Sequence, residues 1–421
     1  MLDFQREVGG TALSERALPD WLEGYMEYTD NTEPPYMFKL WVGMSVIGAL
    51  LQRKCQLNWG DFETFYPNMY VVLIAPPAKA MKGTSIKPGL EILQDIGVKL
   101  AADATTREAL IRALSTSTDS ELADLDTGVH YENCNLVVIA PELTVFTSYR
   151  NEQLMTDLID WYDCKSPWVY DTKHQGTDKI EGIWVFLLGA STPDLIREAM
   201  PVTTAVGGGL TSRIIFVYEE KKDKMVIMPS LSQDQRAIKT LLTEDASRIY
   251  AMHGQFKYTK PFLERYAEWR TMNELQPPFI DRCLEGYCGR RHVHLLKMCM
   301  IMSASRDSKM ILTDKDFDRA LNVLQRTEVK MPKVFRGVGS NPHAPVLSRI
   351  METIGFRKKV SFKELTQMYQ MDAESRVIAA IVEQLRDQGY CKIHYEGDAK
   401  KKRNAIITYT KEVESGTQTT Q

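Results

Sequence analysis

The residues that could do chemistry together stand at Lys82-Gly83-Thr84-Ser85. They follow Val71-Val72-Leu73-Ile74, a β-branched and apolar run, and a turn rich in Pro and Ala. Such a run reads as a strand buried on both faces, as in a parallel sheet. A helix opening at Thr84 or Ser85 would complete the order strand, loop, lysine, hydroxyl, helix. That order binds phosphate: backbone N–H groups and the helix N-terminus face the anion, the lysine reaches the outer phosphates and the hydroxyl ligates magnesium. The spacing departs from the usual G-x-x-x-x-G-K-[ST]. Pro76 and Met81 occupy the glycine positions, Gly83 stands where the hydroxyl belongs, and Thr84 comes one residue late. The stretch fits an ordinary strand–loop–helix connection about as well, so residues further along the chain decide.

Three more apolar runs follow. Asn135 to Ala140 reads as a second buried strand and ends in Pro141-Glu142. In nucleotide hydrolases a second strand ends in acids beside the phosphate loop, and the last acid orients the attacking water. Here Glu142 is present and Pro141 replaces the customary Asp. Gly182 to Ala190 is a third run, ending in Ser191-Thr192-Pro193, and Ile214 to Tyr218 is a fourth, preceded by Gly207-Gly208-Gly209 and by Thr211-Ser212-Arg213. Ser166 to Glu181 alternates around Gly176 and reads as a β-hairpin with Lys173 and His174 at its tip. Arg290 and Arg291, with His292 and His294, open a strongly apolar helix. Each feature has a plainer role: a salt bridge for Arg213, a helix cap for Thr192, a solvated helix end for Arg290 and Arg291, a solvated tip for Lys173 and His174.

Strand runs separated by helices predict a three-layer α/β fold with a parallel sheet. The predicted division is a helical cap over 1–66, a core over 67–225 and a helical lid over 226–335. A linker over 336–345, a small domain over 346–411 and a disordered tail over 412–421 complete it. In the cap, Leu18 to Tyr28 and Met37 to Leu51 read as helices, and a strand-like stretch from Arg53 to Asn68 leads into the sheet. In the core, Leu90 to Leu100 continues a helix, Thr105 or Thr106 caps another, and 115–127 reads as a polar surface loop. Phe279 to Tyr287 reads as a helix of the lid. Residues 346–411 hold three helices and two strands joined across Lys400-Lys401-Lys402-Arg403, the pattern of a winged helix-turn-helix. Residues 341–411 carry 13 Lys+Arg against 8 Asp+Glu, a local basic excess that suits DNA, although such runs are also ordinary solvated loops.

The bulk numbers exclude some classes. The chain has 421 residues, 44% apolar and 25% charged, with a net charge of −3. That is globular composition with no whole-chain basic footprint for nucleic acid. Seven scattered cysteines include no C-x-x-C, so neither a zinc site nor a disulfide framework is expected, and a reducing cytosol fits. The first ten residues do not read as a signal peptide, and no apolar run is long enough for a membrane span.

Taken in order, these parts resemble an AAA+ ATPase of the minichromosome-maintenance (MCM) type, and more closely the primase/helicase-like replication ATPases of phages and mobile elements. The resemblance runs from about Leu18 to Tyr409 and is strongest from Tyr66 to Glu219. It rests on the Lys82 to Ser85 run, the hairpin at the pre-sensor position, Ser191-Thr192 at the sensor, Thr211 to Val217 at the arginine-finger segment, Arg290 and Arg291 at the second sensor, and the winged helix. It implies a P-loop core that binds ATP through Lys82, Gly83, Thr84, Ser85, Arg290 and Arg291, with Mg²⁺ on Thr84. Glu142, Thr192 and Arg213 would be catalytic, Arg213 reaching a neighbouring subunit. Lys173 and His174 would grip single-stranded DNA in a hexameric ring, and Lys400, Lys401, Lys402 and Arg403 would meet duplex DNA. The implied activity is that of a DNA translocase or helicase in the host cytoplasm. A slowly hydrolysing loader or initiator, or a catalytically silent DNA-binding protein, remains open.

Overall fold

The computed structural model describes residues 15–102, 106–123, 130–143, 151–172, 176–199, 209–335, 343–395 and 405–410. The chain divides into two compact units, Met1–Val334 and Phe335–Gln421. Expectations placed on 1–12, on Lys173, His174, Gly207 and Gly208, on Lys400 to Arg403, on most of the linker and on the tail fall outside the described residues.

The first unit is built on a five-stranded sheet. Its spatial order is Thr118–Ala123, His130–Ala140, Ile183–Ser191, Tyr70–Ile74, Ile214–Tyr218. The last four run parallel; the first pairs antiparallel with its neighbour. Every residue of Tyr70–Ile74 and of Ile183–Ser191 is buried. Successive strand residues point to opposite faces, so both faces are covered, which is why these strands are continuously apolar rather than alternating.

Helix Tyr36–Leu51 supplies much of that cover and is itself buried from Met37 to Leu51. It packs against the strands at Tyr70–Ile74, Ile183–Ser191 and Ile214–Tyr218 and against helices Lys82–Ile96, Gln233–Tyr250 and Glu285–Arg306. A helix touched on every side has no polar face to show, and this one reads Tyr-Met-Phe-Lys-Leu-Trp-Val-Gly-Met-Ser-Val-Ile-Gly-Ala-Leu-Leu. Glycines set its close approaches: a Cβ on Gly89 would lie 2.6 Å from Val42 Cγ1 and 2.9 Å from Val46 Cγ2.

Several sequence expectations are corrected. Thr118–Ala123 is an edge strand rather than a loop; its polar sequence suits an edge, where only one side of the strand is paired. Cys55–Trp59 and Glu63–Phe65 form their own antiparallel pair, which joins Gly254–Gln255 instead of leading into the main sheet. The helix from Lys82 stops at Ile96 because Gly97 takes a left-handed conformation, and Leu100 instead bridges to Val137. Phe279 to Asp281 is not helical; a 3₁₀ turn at Arg282–Leu284 precedes helix Glu285–Arg306. The expected hairpin is present as Trp168–Thr172 and Gly176–Ile180, and Thr106 caps helix Arg107–Ser115.

The second unit holds helices Ala344–Arg357, Phe362–Tyr369 and Ser375–Asp387 and a three-stranded antiparallel sheet ordered Lys359–Ser361, Ala405–Tyr409, Cys391–Tyr395. Ile350, Leu365, Ile378 and Ile407 are its most deeply buried apolar residues. Among the described residues of the chain no helix is long and apolar enough to cross a membrane.

The glycine contacts give a stability test. Gly89→Ala forces a methyl group into Val42 and Val46 and is expected to cost about 1–3 kcal/mol in denaturant unfolding. Gly83→Ala, in the same helix with open space around it, is expected to leave stability unchanged or raise it by up to about 1 kcal/mol.

Candidate functional site

The carboxyl edge of the parallel sheet gathers several of the residues singled out by sequence. Ile74 ends its strand beside Ser191, and Ala140 lies opposite Gly189. The loop that follows Ile74 is therefore flanked on one side by Ser191 and, one strand further on, by Glu142. Strands lie about 4.8 Å apart, so Glu142 starts from a strand roughly 10 Å from Ile74. The region outside the carboxyl ends of parallel strands whose order departs from chain order is where open α/β sheets bind ligands.

The loop is fixed by backbone bonds at both shoulders. Ala75 N–H donates to Ser191 O, Glu219 N–H to Ile74 O at 2.9 Å, and Lys222 N–H to Lys79 O at 2.9 Å. Ala78 and Met81 have φ of +57° and +53°. Met81 thus adopts the left-handed backbone at a position where the usual phosphate loop has glycine. A non-glycine residue held there costs on the order of 1–3 kcal/mol and persists only when its surroundings enforce it.

Helix Lys82–Ile96 begins immediately, and among the described residues no side chain caps its N-terminus. Thr84 is exposed in its first turn and Gly83 is exposed beside it. Ser85 is turned inward and its hydroxyl donates to Lys82 O at 2.6 Å. Lys82 is half-buried, and its Nζ donates to Ala75 O at 3.0 Å, folding back over the loop. Burial lowers the proton affinity of that amine, and the negative charge of Glu142 opposes the shift. The structure therefore places Lys82 and Glu142, sixty residues apart in sequence, within electrostatic reach.

Thr192 Oγ1 accepts from Leu195 N–H at 3.4 Å, the capping role open to it from the sequence. Its neighbour Ser191 is fully buried, and its hydroxyl has no hydrogen-bond partner among the described residues. A buried hydroxyl without a partner costs about 1–3 kcal/mol. The sequence offered Thr192 as a helix cap, but nothing in it marked the neighbouring Ser191 hydroxyl as one left without a partner among the described residues.

Arg213, Arg290 and Arg291 are elsewhere. Ile214 pairs with Tyr70, at the opposite end of the strand from the loop, so Arg213 sits roughly 16 Å of strand away from Lys82's end of the sheet. Arg213 does not project as a free side chain. It is buried, pairs with Asp163, and donates through Nη1 to Gly209 O at 2.8 Å. Arg290 donates to the same carboxylate at 2.9 Å. Burial would raise the Asp163 pKa; hydrogen bonds and charge from the two arginines overcome it and hold it below the usual carboxylate value. Asp163 caps the carboxyl end of helix Glu152–Tyr162, a poor place for a negative charge unless cations stand by. A carboxylate just past a helix end could have been read from the sequence as a place that needs cations, though not which cations.

Arg291 is not available to a phosphate. It is buried against Glu328 with bonds of 2.6 and 2.7 Å, bonds Asn273 Oδ1 at 2.6 Å and lies over the Trp269 ring. The helix also starts at Glu285, so neither arginine occupies its first turn; the expected helix-end charge pattern does not apply.

Beneath the cluster, Tyr162 Oη meets His294 Nδ1 at 3.1 Å and His294 Nε2 meets Ser212 O at 3.0 Å. A carbonyl only accepts, so Nε2 carries the proton and Nδ1 accepts from the tyrosine. Burial drives the His294 pKa down to about 3. Burial likewise lowers Lys297 to about 8, while its Nζ bonds Asn68 O at 3.0 Å and Asn68 Oδ1 at 2.8 Å. Among the described residues no three His, Cys, Asp or Glu side chains gather in a metal-binding group.

Neither a protein-family model nor a curated protein matches the chain.

His294 gives a pH prediction. It is neutral in the folded chain, whereas the unfolded chain takes a proton below the ordinary value of 6.5. Its contribution is complete above pH 6.5 and is lost as pH falls toward 3, at up to about 1.4 kcal/mol per pH unit. In acid unfolding, wild type is expected to show this extra slope and His294→Gln to lack it; equal slopes would contradict the buried neutral imidazole.

Proposed function

We propose that this chain is an ATP-dependent DNA translocase or helicase of MCM-like AAA+ type, serving replication of a phage or mobile element. The observation that carries the proposal is the position of strand Ile183–Ser191, hydrogen-bonded between Tyr70–Ile74 and the strand that ends near Glu142. That insertion separates the lysine loop from the acid by one strand, leaving room between them for a phosphate chain and a water.

The residues at this edge suit Mg–ATP. An uncapped helix N-terminus, a half-buried lysine and the vacant Ser191 hydroxyl are all groups that an anion would satisfy. Bound Mg–ATP supplies the bond to be cleaved. Lys82 would leave the Ala75 carbonyl for the outer phosphates, backbone N–H groups at Gly83 and Thr84 would cradle them, and Thr84 would offer its hydroxyl to Mg²⁺. Pro141 offers no carboxylate to the metal, which would keep several waters, as Mg²⁺ commonly does. Glu142 would orient the attacking water, with Ser191 and Thr192 at the sensor position.

The second unit supports the DNA side. Three helices backed by a three-stranded antiparallel sheet suit a winged helix, and Lys400, Lys401, Lys402 and Arg403, which lie in sequence between its last two strands, would meet duplex phosphates. Lys173 and His174, between the paired strands Trp168–Thr172 and Gly176–Ile180, would meet single-stranded DNA inside a homo-oligomeric ring, taken as a hexamer. In such a ring Arg213, too far from its own Lys82, would serve the neighbour's nucleotide.

One observation favours the slower alternative, a helicase loader or initiator that uses ATP as a switch. Arg213 is engaged within its own chain, so hydrolysis would wait for its release.

Lys82→Ala tests the site. Its stability is expected to fall by no more than about 0.5–1.5 kcal/mol, the net worth of the hydrogen bond to the carbonyl of the buried Ala75, while ATP binding falls by at least about a hundredfold, as expected when a charge-assisted contact to phosphate is lost. Unchanged affinity would remove the phosphate-loop assignment.

A further inference from the structure

Asp163 serves two guanidinium groups at once. Arg213 and Arg290 both bond its carboxylate, and the ammonium of Lys297 is close enough to feel all three. Two arginines and a lysine around one carboxylate leave a positive excess. The cluster is also under-bonded: Arg213 Nε is buried without a hydrogen-bond partner among the described residues. A carboxylate has two oxygens for this fork; a terminal phosphate has three and more negative charge. The cluster is reachable from outside, since the Asp163 and Arg290 side chains are 41% and 31% exposed, while Arg213 at 8% lies behind them.

We infer that Asp163 is an intramolecular stand-in for phosphate: it parks Arg213 and Arg290 in the isolated subunit and yields them when a nucleotide phosphate on a second copy of this chain takes its place. The second step rests on the proposed nucleotide site; the parking does not. The subunit's own nucleotide cannot make the exchange, because Arg213 and the Lys82 loop stand at opposite ends of the same strands. A parked arginine lowers the fraction of subunits competent to complete a neighbour's site, and so raises the concentration at which such sites form. Asp163 in this account is a positioning residue, acting through Arg213.

The test uses the full chain as wild type, Asp163→Asn, Asp163→Ser and Asp163→Glu. Arg213 reactivity toward phenylglyoxal, read by peptide mass spectrometry at low protein concentration, reports parking without any need for ATP. It is expected to rise about tenfold in the Asn and Ser variants, within the usual range of coupling between linked equilibria, and to stay near wild type in the Glu variant, which keeps the charge. Two neutral variants guard against one failing to fold. ATP turnover measured across protein concentration then reads the second step: the half-maximal concentration is expected to fall about tenfold in Asp163→Asn. Equal Arg213 labelling in all four proteins would overturn the parking. Raised labelling with an unmoved midpoint would overturn the link to a second copy's phosphate. Raised labelling in a protein whose wild type turns over no ATP at any concentration would uphold the parking and strike the nucleotide reading instead.

Discussion

The ladder that joins Ile183–Ser191 to strands on both sides is the interaction on which the remaining architecture depends. It places Ser191 beside Ile74 and Gly189 beside Ala140, and so fixes which loops meet at the carboxyl edge. Register cannot slip here. The strand is buried at every position, and a one-residue shift would exchange which of its side chains face each side of the sheet. The loop after Ile74 inherits this rigidity through the Ala75, Glu219 and Lys79 backbone bonds. That frame is what holds Ala78 and Met81 in left-handed conformations that their side chains disfavour.

The sheet has two ends with different electrostatics. At the carboxyl end, Lys82 opens a helix that no side chain caps among the described residues, and the charge of Glu142 reaches it. At the amino end, cations gather around a single carboxylate, and below them His294 stays neutral because burial penalises its charged form. Among the described residues neither end is fully satisfied: one leaves the Ser191 hydroxyl without a partner, the other the Arg213 Nε. Both deficits are for groups that bind oxyanions. In the proposed assembly one end of each subunit supplies what the opposite end of its neighbour lacks.

Much of the architecture was legible in the sequence because burial on both faces writes itself as uninterrupted apolar runs. All four parallel strands and the helix at Tyr36–Leu51 were found that way. Thr118–Ala123 was missed because an edge strand can be polar on both faces and looks like a loop. The start of helix Glu285–Arg306 was missed because Phe279 to Tyr287 is apolar enough to mimic a helical turn. At the candidate site, the places of Lys82 and Glu142 just beyond their strands were legible, because the apolar runs before them end sharply. The fate of the arginines was not, because an ion pair with Asp163 or Glu328 depends on chain segments far apart in sequence. Arg291 and Arg290 are adjacent and chemically identical, yet Arg291 is locked in a buried pair while Arg290 reaches the half-exposed Asp163.

The central claim is that the carboxyl edge of this sheet is a nucleotide site. Backbone hydrogen exchange across Ala75 to Ser85, with and without Mg–ATP, addresses it most directly, because the amides of that loop and of the uncapped first turn are the groups that would bind phosphate. Protection of Gly83 and Thr84 on adding Mg–ATP, lost in the Lys82→Ala protein, is the result this account predicts. Exchange in that segment unaffected by saturating Mg–ATP would contradict it.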